Sequence, residues 1–407
     1  MPASPHAPLW NLRPGVTYLN HGSFGPSPRS VQAARHELVD QLESEPVDFL
    51  VRQLEDRLDA ARERLATFVG TKGRHLLFVD NATFGMNIVA QTFPLAAGDE
   101  VLATDHEYGA VLRIWRQQCQ RTGAALVVRK LPTRFESPEE LADELLAGTT
   151  PRTRLLVVSH VTSPTAVILP VREICARARQ LGIAVCIDGP HAPAAVPVHI
   201  DQLGCDFYTA SCHKWLSAPF GSGFLYVHPR WQGAARPAIV SWGNSLSGRA
   251  PQWSDEFNWS GTRDPSAFLS IPAAIDFLEQ LPPVAIEGES LVASVCGIAG
   301  FRQYAHDLAR YARRKIQEVT QLEPLVPDRP DWYGPMIALP LPASIAEPPA
   351  THVHPLQQAL WEQFRIEVPI VNWQGRRYVR VSCHLYNARD DIDRLVDSLQ
   401  SLLATPN

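Results

Sequence analysis

Short apolar runs rich in β-branched residues alternate, over the first two thirds of the chain, with longer stretches in which apolar positions recur every third or fourth residue. The runs at residues 16–20, 75–79, 100–104, 125–131, 155–161, 183–187 and 205–210 read as strands, and a last one begins at Gly221, Ser222 and Gly223. Helical patterns fall between them: residues 29–43, a longer stretch with Leu50, Leu54, Leu58, Ala61, Leu65 and Phe68 on one face and Gly70 at its end, and residues 172–181. Asp80, Asn81, Ala82 and Thr83 open a helix that runs to Phe93. Ser137, Pro138, Glu139 and Glu140 form a capping box with proline at the first helical position. Several of these strands are apolar throughout, as strands covered on both faces are. The repeated strand, helix, strand order therefore predicts an α/β fold, a mainly parallel sheet between helices with right-handed crossovers.

From about Pro272 the pattern changes to helices at 275–281 and 301–319, a strand at 335–339, a helix at 356–364, a strand at 378–382 and a final amphipathic helix from near Ala388. We expect a large domain over 15–270 and a smaller α+β domain over 271–407, with the lead segment 1–14 packed near the active site.

The chemistry gathers at two strand ends. The run 183–187 (IAVCI) ends in Asp188 and Gly189, and the run 205–210 (CDFYTA) ends in Ser211, Cys212, His213 and Lys214. An open α/β sheet binds ligands in the crevice outside its carboxyl strand ends. An acid and an amine presented there are what pyridoxal 5'-phosphate requires: the lysine carries the aldehyde as a Schiff base and the acid keeps the pyridine nitrogen protonated. Asp80–Thr83 offers a helix start, hence an anion site suited to the cofactor's phosphate.

Charge and composition narrow the function classes. The 407 residues carry 37 basic and 42 acidic side chains, well mixed, for a net charge of -5, so no basic stripe addresses nucleic acid. No stretch has the apolar length of a signal peptide or membrane span, and a cytoplasmic enzyme is expected. The seven cysteines are scattered without metal or disulfide spacing, and no metal is expected.

With these residues in hand, the chain resembles class V of the fold-type I pyridoxal phosphate enzymes, whose large domain holds a mainly parallel seven-stranded sheet. The carriers are I-D-G-P-H-A at Asp188 to His191, S-C-H-K-W around Lys214, N-H-G-S-F-G-P from Asn20 and R-V-S-C-H-L-Y-N from Arg380. NHGSFGP and HEYGA resemble the isopenicillin N epimerase-like subgroup. The resemblance implies that the loop of Asn20 and His21 borders the substrate, and that Ala82 and Thr83 hold the phosphate together with Ser211 and His213. A ring from His106 or Tyr108 covers the cofactor face, and spacing leaves those two open. Tyr108 also has a phenol suited to moving a proton. By the same resemblance His191 is implied either to bond the cofactor's phenolic oxygen or to pack near its ring. Ser163 stands where many relatives carry an Asn that bonds this oxygen, a departure that also bears on His160. Gly261 and Thr262 are implied to cap the phosphate of a partner subunit, which makes the expected homodimer functionally necessary. Arg380 is assigned to the substrate carboxylate, because its planar fork grips both oxygens.

The resemblance fixes the cofactor better than the reaction. It implies a small-molecule amino-acid substrate acted on at the alpha carbon through a Schiff base with the cofactor. Epimerisation, with Lys214 as one base and Tyr108 or a histidine as the other, is preferred. Carbon-sulfur lysis with Tyr108 assisting the sulfur, class V transamination, and a non-catalytic scaffold are the alternatives. Persulfide-forming desulfuration is disfavoured, since no cysteine lies between Leu360 and Tyr378.

Overall fold

A computed structural model describes residues 4–132, 134–282, 296–345 and 353–404. Residues 1–3 of the expected lead segment and 283–295, 346–352 and 405–407 of the expected small domain lie outside this description.

A short 3-10 helix (Ala7–Leu9) precedes the first strand, β1 (Thr17–Tyr18). Seven strands then build the central sheet: β2 (Leu76–Val79), β3 (Glu100–Thr104), β4 (Ala125–Arg129), β5 (Thr153–Ser159), β6 (Ala184–Asp188), β7 (Phe207–Ser211) and β8 (Gly223–Val227). Their spatial order is β2-β8-β7-β6-β5-β3-β4. All pairings among β3 to β7 are parallel, and β8 runs antiparallel to both β2 and β7. The reason is topological. A parallel crossover needs about a dozen residues or more and usually a helix, and the link from Ser211 to Gly223 carries no helix.

The central strands carry apolar residues on both faces because the sheet separates two cores. Leu76, Phe78, Leu156, Val158, Val185 and Ile187 face one, while Leu77, Val79, Leu155, Val157, Ala184 and Cys186 face the other. Helices cover both faces, including Ala82–Thr92 against β7 and Val171–Gln180 against β6. The helix Leu54–Val69 ends as its sequence predicts, at Gly70 in the left-handed region with φ of 68°. Ser137 accepts the Glu140 N–H and so caps the helix Pro138–Leu146.

The remaining strands are β9 (Met336–Pro340), β10 (Ile366–Glu367), β11 (Ile370–Trp373) and β12 (Arg376–Ser382). β11, β12 and β9 form an antiparallel three-stranded sheet in that order, and β10 pairs in parallel with β1. Asn20 continues that contact by bridging Ser382. The start of the expected large domain at residue 15 therefore falls in a segment whose backbone pairs with the C-terminal part. The reason is edge pairing: β1 is too short to close a sheet alone and completes its hydrogen bonds on β10. Trp10, in the lead segment, packs its ring on His384 and Tyr386 at centroid distances of 5.1 and 5.3 Å, below the site described next. Among the described residues no helix is long and apolar enough to cross a membrane.

Candidate active site

Asp188 closes β6 and Ser211 closes β7, so both side chains arrive at the carboxyl edge of the sheet. Lys214 follows Ser211 in a tight turn. Its carbonyl accepts the Ser217 N–H at 2.8 Å and meets Nε2 of His21 at 3.0 Å. Ser217 sits at φ of 59°, a left-handed conformation that a non-glycine residue adopts only under constraint. Gly25 is required beside this turn, because a Cβ there would lie 2.9 Å from the carbonyl oxygens of His213 and Lys214. The N-terminal loop and the lysine turn are thus pressed together. The amine itself points to the crevice, with Nζ 3.1 Å from Nε2 of His191.

The electrostatics follow from burial. Asp188 is buried, which raises its pKa above the ordinary carboxylate value, and Lys214 works against that shift. Among the described residues no group donates a hydrogen bond to its carboxylate. Desolvation lowers the Lys214 pKa, the Arg380 cation lowers it further, and Asp188 opposes both. His191 is pushed well below its usual value by burial and then by the Lys214 and Arg380 charges. Its Nδ1 is buried without a partner. His213 falls to about 4 through burial and Lys214.

The helix Ala82–Thr92 begins directly at this edge. Asn81 caps it by accepting the Phe84 N–H at 3.0 Å, and Ala82 donates its N–H to the Ser211 hydroxyl at 3.1 Å. Gly85 brings the helix close, since a Cβ there would lie 2.2 Å from the Thr209 hydroxyl on β7. Thr83 is exposed at the same helix start. His213 is half-buried and bonds the Ser222 carbonyl at 3.2 Å. Ala82 and Ser211 are thus hydrogen-bonded at this helix start, next to the exposed Thr83.

Arg380, on β12, reaches the crevice from the other side. Its Nη1 donates to the Ser163 carbonyl at 2.6 Å and hydroxyl at 3.2 Å, and its Nη2 donates to the Ser23 hydroxyl. It is 5% exposed, Nε has no partner, and no carboxylate pairs with it among the described residues. A buried guanidinium without a protein anion is a seat for a ligand anion. Burial lowers its pKa to about 10, and the Tyr108 phenol acts on it in the opposite sense. Ser163 thus holds Arg380, which gives the departure at this position a visible partner.

Other expected residues sit differently. His106 is fully buried, bonds the Thr165 hydroxyl through Nδ1 at 2.7 Å and packs 4.3 Å from the Trp373 ring centroid. Tyr108 is 50% exposed, so of the two candidate rings only the phenol has a free face. His21 has both ring nitrogens engaged, by the Lys214 carbonyl and by the Tyr386 hydroxyl at 2.9 Å, and no exposed surface. It buttresses the lysine turn; with neither nitrogen free it does not line the crevice as expected. Asn20 is likewise buried, with Nδ2 3.4 Å from Glu367. His160 bonds the Tyr208 hydroxyl at 2.9 Å, behind Asp188. Thr262 is exposed, and its neighbour Arg263 pairs with Asp80 at 2.6 Å, just before the Asn81 cap of the same chain. Sequence reading gave no role to Ser23, Ser217, His384 or Glu107. Ser23 lies inside NHGSFGP and Glu107 inside HEYGA, and the polar neighbours of Glu107 carry no signal that its carboxyl is enclosed.

The aminotransferase class-V family matches residues 25–395. Isopenicillin N epimerase of Amycolatopsis lactamdurans is 36% identical over 96% of both chains. A putative L-cysteine desulfhydrase of Oryza sativa subsp. japonica is 30% identical over 96% of this chain and 84% of its own. Among solved structures, the cystine C-S lyase C-DES in complex with cysteine persulfide superposes with a TM-score of 0.77 at 22% identity, over 95% of this chain and 98% of that one. This chain belongs to the aminotransferase class-V family of pyridoxal 5'-phosphate enzymes, in its isopenicillin N epimerase-like subgroup.

Proposed function

We propose that this protein changes the bonding at the alpha carbon of an amino acid by epimerisation, with Lys214 as the base that takes the alpha proton. The observation that carries this reading is the Lys214 amine, lowered in pKa and 3.1 Å from a histidine, in one crevice with a buried guanidinium that has no protein anion.

The residues fit the cofactor. Asp188 is a buried carboxylate with no donor among the described residues, which suits the pyridine N–H. The start of the helix Ala82–Thr92 together with Ser211 suits the phosphate. Tyr108 offers its free face to the ring. Bound there, pyridoxal phosphate supplies the electron sink that stabilises negative charge at the alpha carbon.

The chain's own groups do the rest. Arg380 binds the substrate carboxylate and, being fixed by Ser23 and Ser163, decides which face of the alpha carbon meets Lys214. His191, neutral and in contact with Nζ, orients the amine through which Lys214 exchanges the proton. Tyr108 stands at the open side with a phenol able to give a proton to the opposite face. Asp188 and Lys214 come from the 15–270 part and Arg380 from the 271–407 part, so those two parts are proposed as the domains that enclose the crevice. A homodimer with Thr262 reaching the partner's phosphate, and a cytoplasmic setting, belong to the same proposal.

Carbon-sulfur lysis is the second reading. The same half-exposed Tyr108 beside Arg380 favours it, since it can protonate a departing sulfur, and the desulfhydrase relative adds weight. The test is direct. Purified protein with added pyridoxal phosphate should gain an absorbance band that borohydride removes and that Lys214→Ala lacks; no band would overturn the reading. A panel of L-amino acids in heavy water then separates the reactions: alpha deuteration with loss of optical rotation for epimerisation, pyruvate with a sulfur product for lysis. Gel filtration with light scattering tests the dimer.

A further inference from the structure

Glu107 is a buried carboxyl that the proposed chemistry leaves unused. It lies in the turn after β3, 4% exposed. One oxygen accepts the Thr104 hydroxyl at 2.7 Å and the other the Ser159 hydroxyl at 2.6 Å. Both partners are neutral, and no cation pairs with it among the described residues. The titratable groups that face it are Asp188 and Cys186, both on β6. Strand register sets this arrangement, because Ser159 on β5 stands beside Asp188 on β6. Glu107 is therefore fastened directly behind the acid of the site.

Two carboxyl groups in one dry region resist being ionised together, and the proton goes to the one with less cationic company. Asp188 has Lys214 opposite it, whereas Glu107 has two hydroxyls. Burial, with Asp188 adding to it, lifts the Glu107 pKa to about 8 against the lowering by the Ser159 and Thr104 bonds.

We propose that Glu107 is a positioning residue, held as a neutral carboxylic acid that ties β3 to β5 and leaves Asp188 as the single anion at that edge. While protonated, it donates to one of its two hydroxyl partners and accepts from the other. Once ionised it sets a second negative charge beside Asp188, which raises the Asp188 pKa and alters the field at the pyridine N–H. This inference rests on the reading of Asp188 as the cofactor's acid.

The experiment uses the full chain with and without cofactor. In the first arm, infrared spectra of cofactor-free protein labelled with carbon-13 glutamate are compared with those of Glu107→Gln across neutral to alkaline pH. The expected result is the carbonyl stretch of an un-ionised carboxylic acid in the wild type, vanishing near pH 8 and missing in the variant. Absence of that band at neutral pH overturns the proposal whatever the cofactor does. In the second arm, the visible band of pyridoxal phosphate-loaded protein is titrated. The wild type should show an alkaline transition that Glu107→Gln lacks, and identical profiles overturn the coupling to Asp188. Glu107→Gln, which can still serve both hydroxyls, should keep kcat within about threefold, whereas Glu107→Ala, leaving both hydroxyls unpaired, should lose about tenfold. If loaded protein gives no visible band, the functional reading of Lys214 and Asp188 fails, and the infrared arm still decides the proton on Glu107.

Discussion

Nζ of Lys214 stands 3.1 Å from Nε2 of His191, and the opposite ring nitrogen of that histidine is buried without a partner. The contact joins the loop after β7 to the loop after β6, so the amine and the Asp188 strand end are held as one unit. His191 is held neutral by burial and by the neighbouring Lys214 and Arg380 cations, so it orients the Lys214 amine through Nε2 without adding a charge beside Arg380. Lys214→Ala should lower turnover by about four orders of magnitude, measured in single-turnover assays, with partial recovery on adding a small primary amine. His191→Phe, which keeps bulk but no nitrogen, should lower kcat by about 10- to 100-fold with little change in KM.

Arg380 is placed to bind rather than to react. Replacing it with lysine keeps the charge and loses the fork, so Arg380→Lys should raise KM by about 10- to 100-fold. The check is the KM-against-kcat split with an amino acid and with its amide, since the amide should discriminate little between wild type and variant.

His21 supports the lysine turn through two hydrogen bonds. His21→Phe fills the space between Trp215 and His384 but removes one of the two partners of the Lys214 carbonyl and leaves the Tyr386 hydroxyl unpaired. A loss of about 2 kcal/mol in urea unfolding is expected, with a fall in cofactor affinity. Unchanged stability would mean that the turn stands without this buttress.

Stability should depend on pH with two opposite signs. His21, His106 and His160 titrate in the fold at about 3, about 4 and about 4, below the ordinary 6.5, because burial disfavours the charged ring. The unfolded chain binds protons there that the native state refuses, so their stabilisation is complete above pH 6.5 and is lost as pH falls toward 4. Glu107 runs the other way. Its pKa rises from 4.5 to about 8 on folding, so its contribution is complete below 4.5 and disappears as pH climbs to about 8. Each group contributes a slope of about 1.4 kcal/mol per pH unit within its window. Urea midpoints of cofactor-free protein across pH should show both limbs, and Glu107→Gln should flatten the alkaline one only.

Tyr108 separates the two reaction readings. Tyr108→Phe keeps the ring face and removes the phenol. Under epimerisation it should slow exchange at one face of the alpha carbon by about 10²-fold, while under lysis it should slow release of the sulfur product by a similar factor. Stereochemically resolved deuterium exchange, read by NMR, tells them apart.

Much of this was legible in the chain. The strands ending in Asp188 and Ser211 and the helix capped by Asn81 could be read directly, because strand burial and capping are local properties. The antiparallel direction of β8 was not legible, since it depends on what the Ser211 to Gly223 link omits. The burial of His106 against Trp373 and Thr165, residues far from it in sequence, was not legible either. The burial of His21 has the same origin, because Tyr386 and Lys214 meet it only after the two ends of the chain come together. The carboxyl of Glu107 could not be read as enclosed until Ser159 was seen beside it.

The pairing of β1 with β10 has a consequence for how the molecule is made. During synthesis the first strand leaves the ribosome hundreds of residues before its mate exists, so the contacts that tie β1 to β10, Asn20 to Ser382 and Ser23 to Arg380 form only when translation is nearly finished. The guanidinium clasp is therefore a late event in maturation, whereas the loop can already rest on the lysine turn through His21 once residue 214 has emerged.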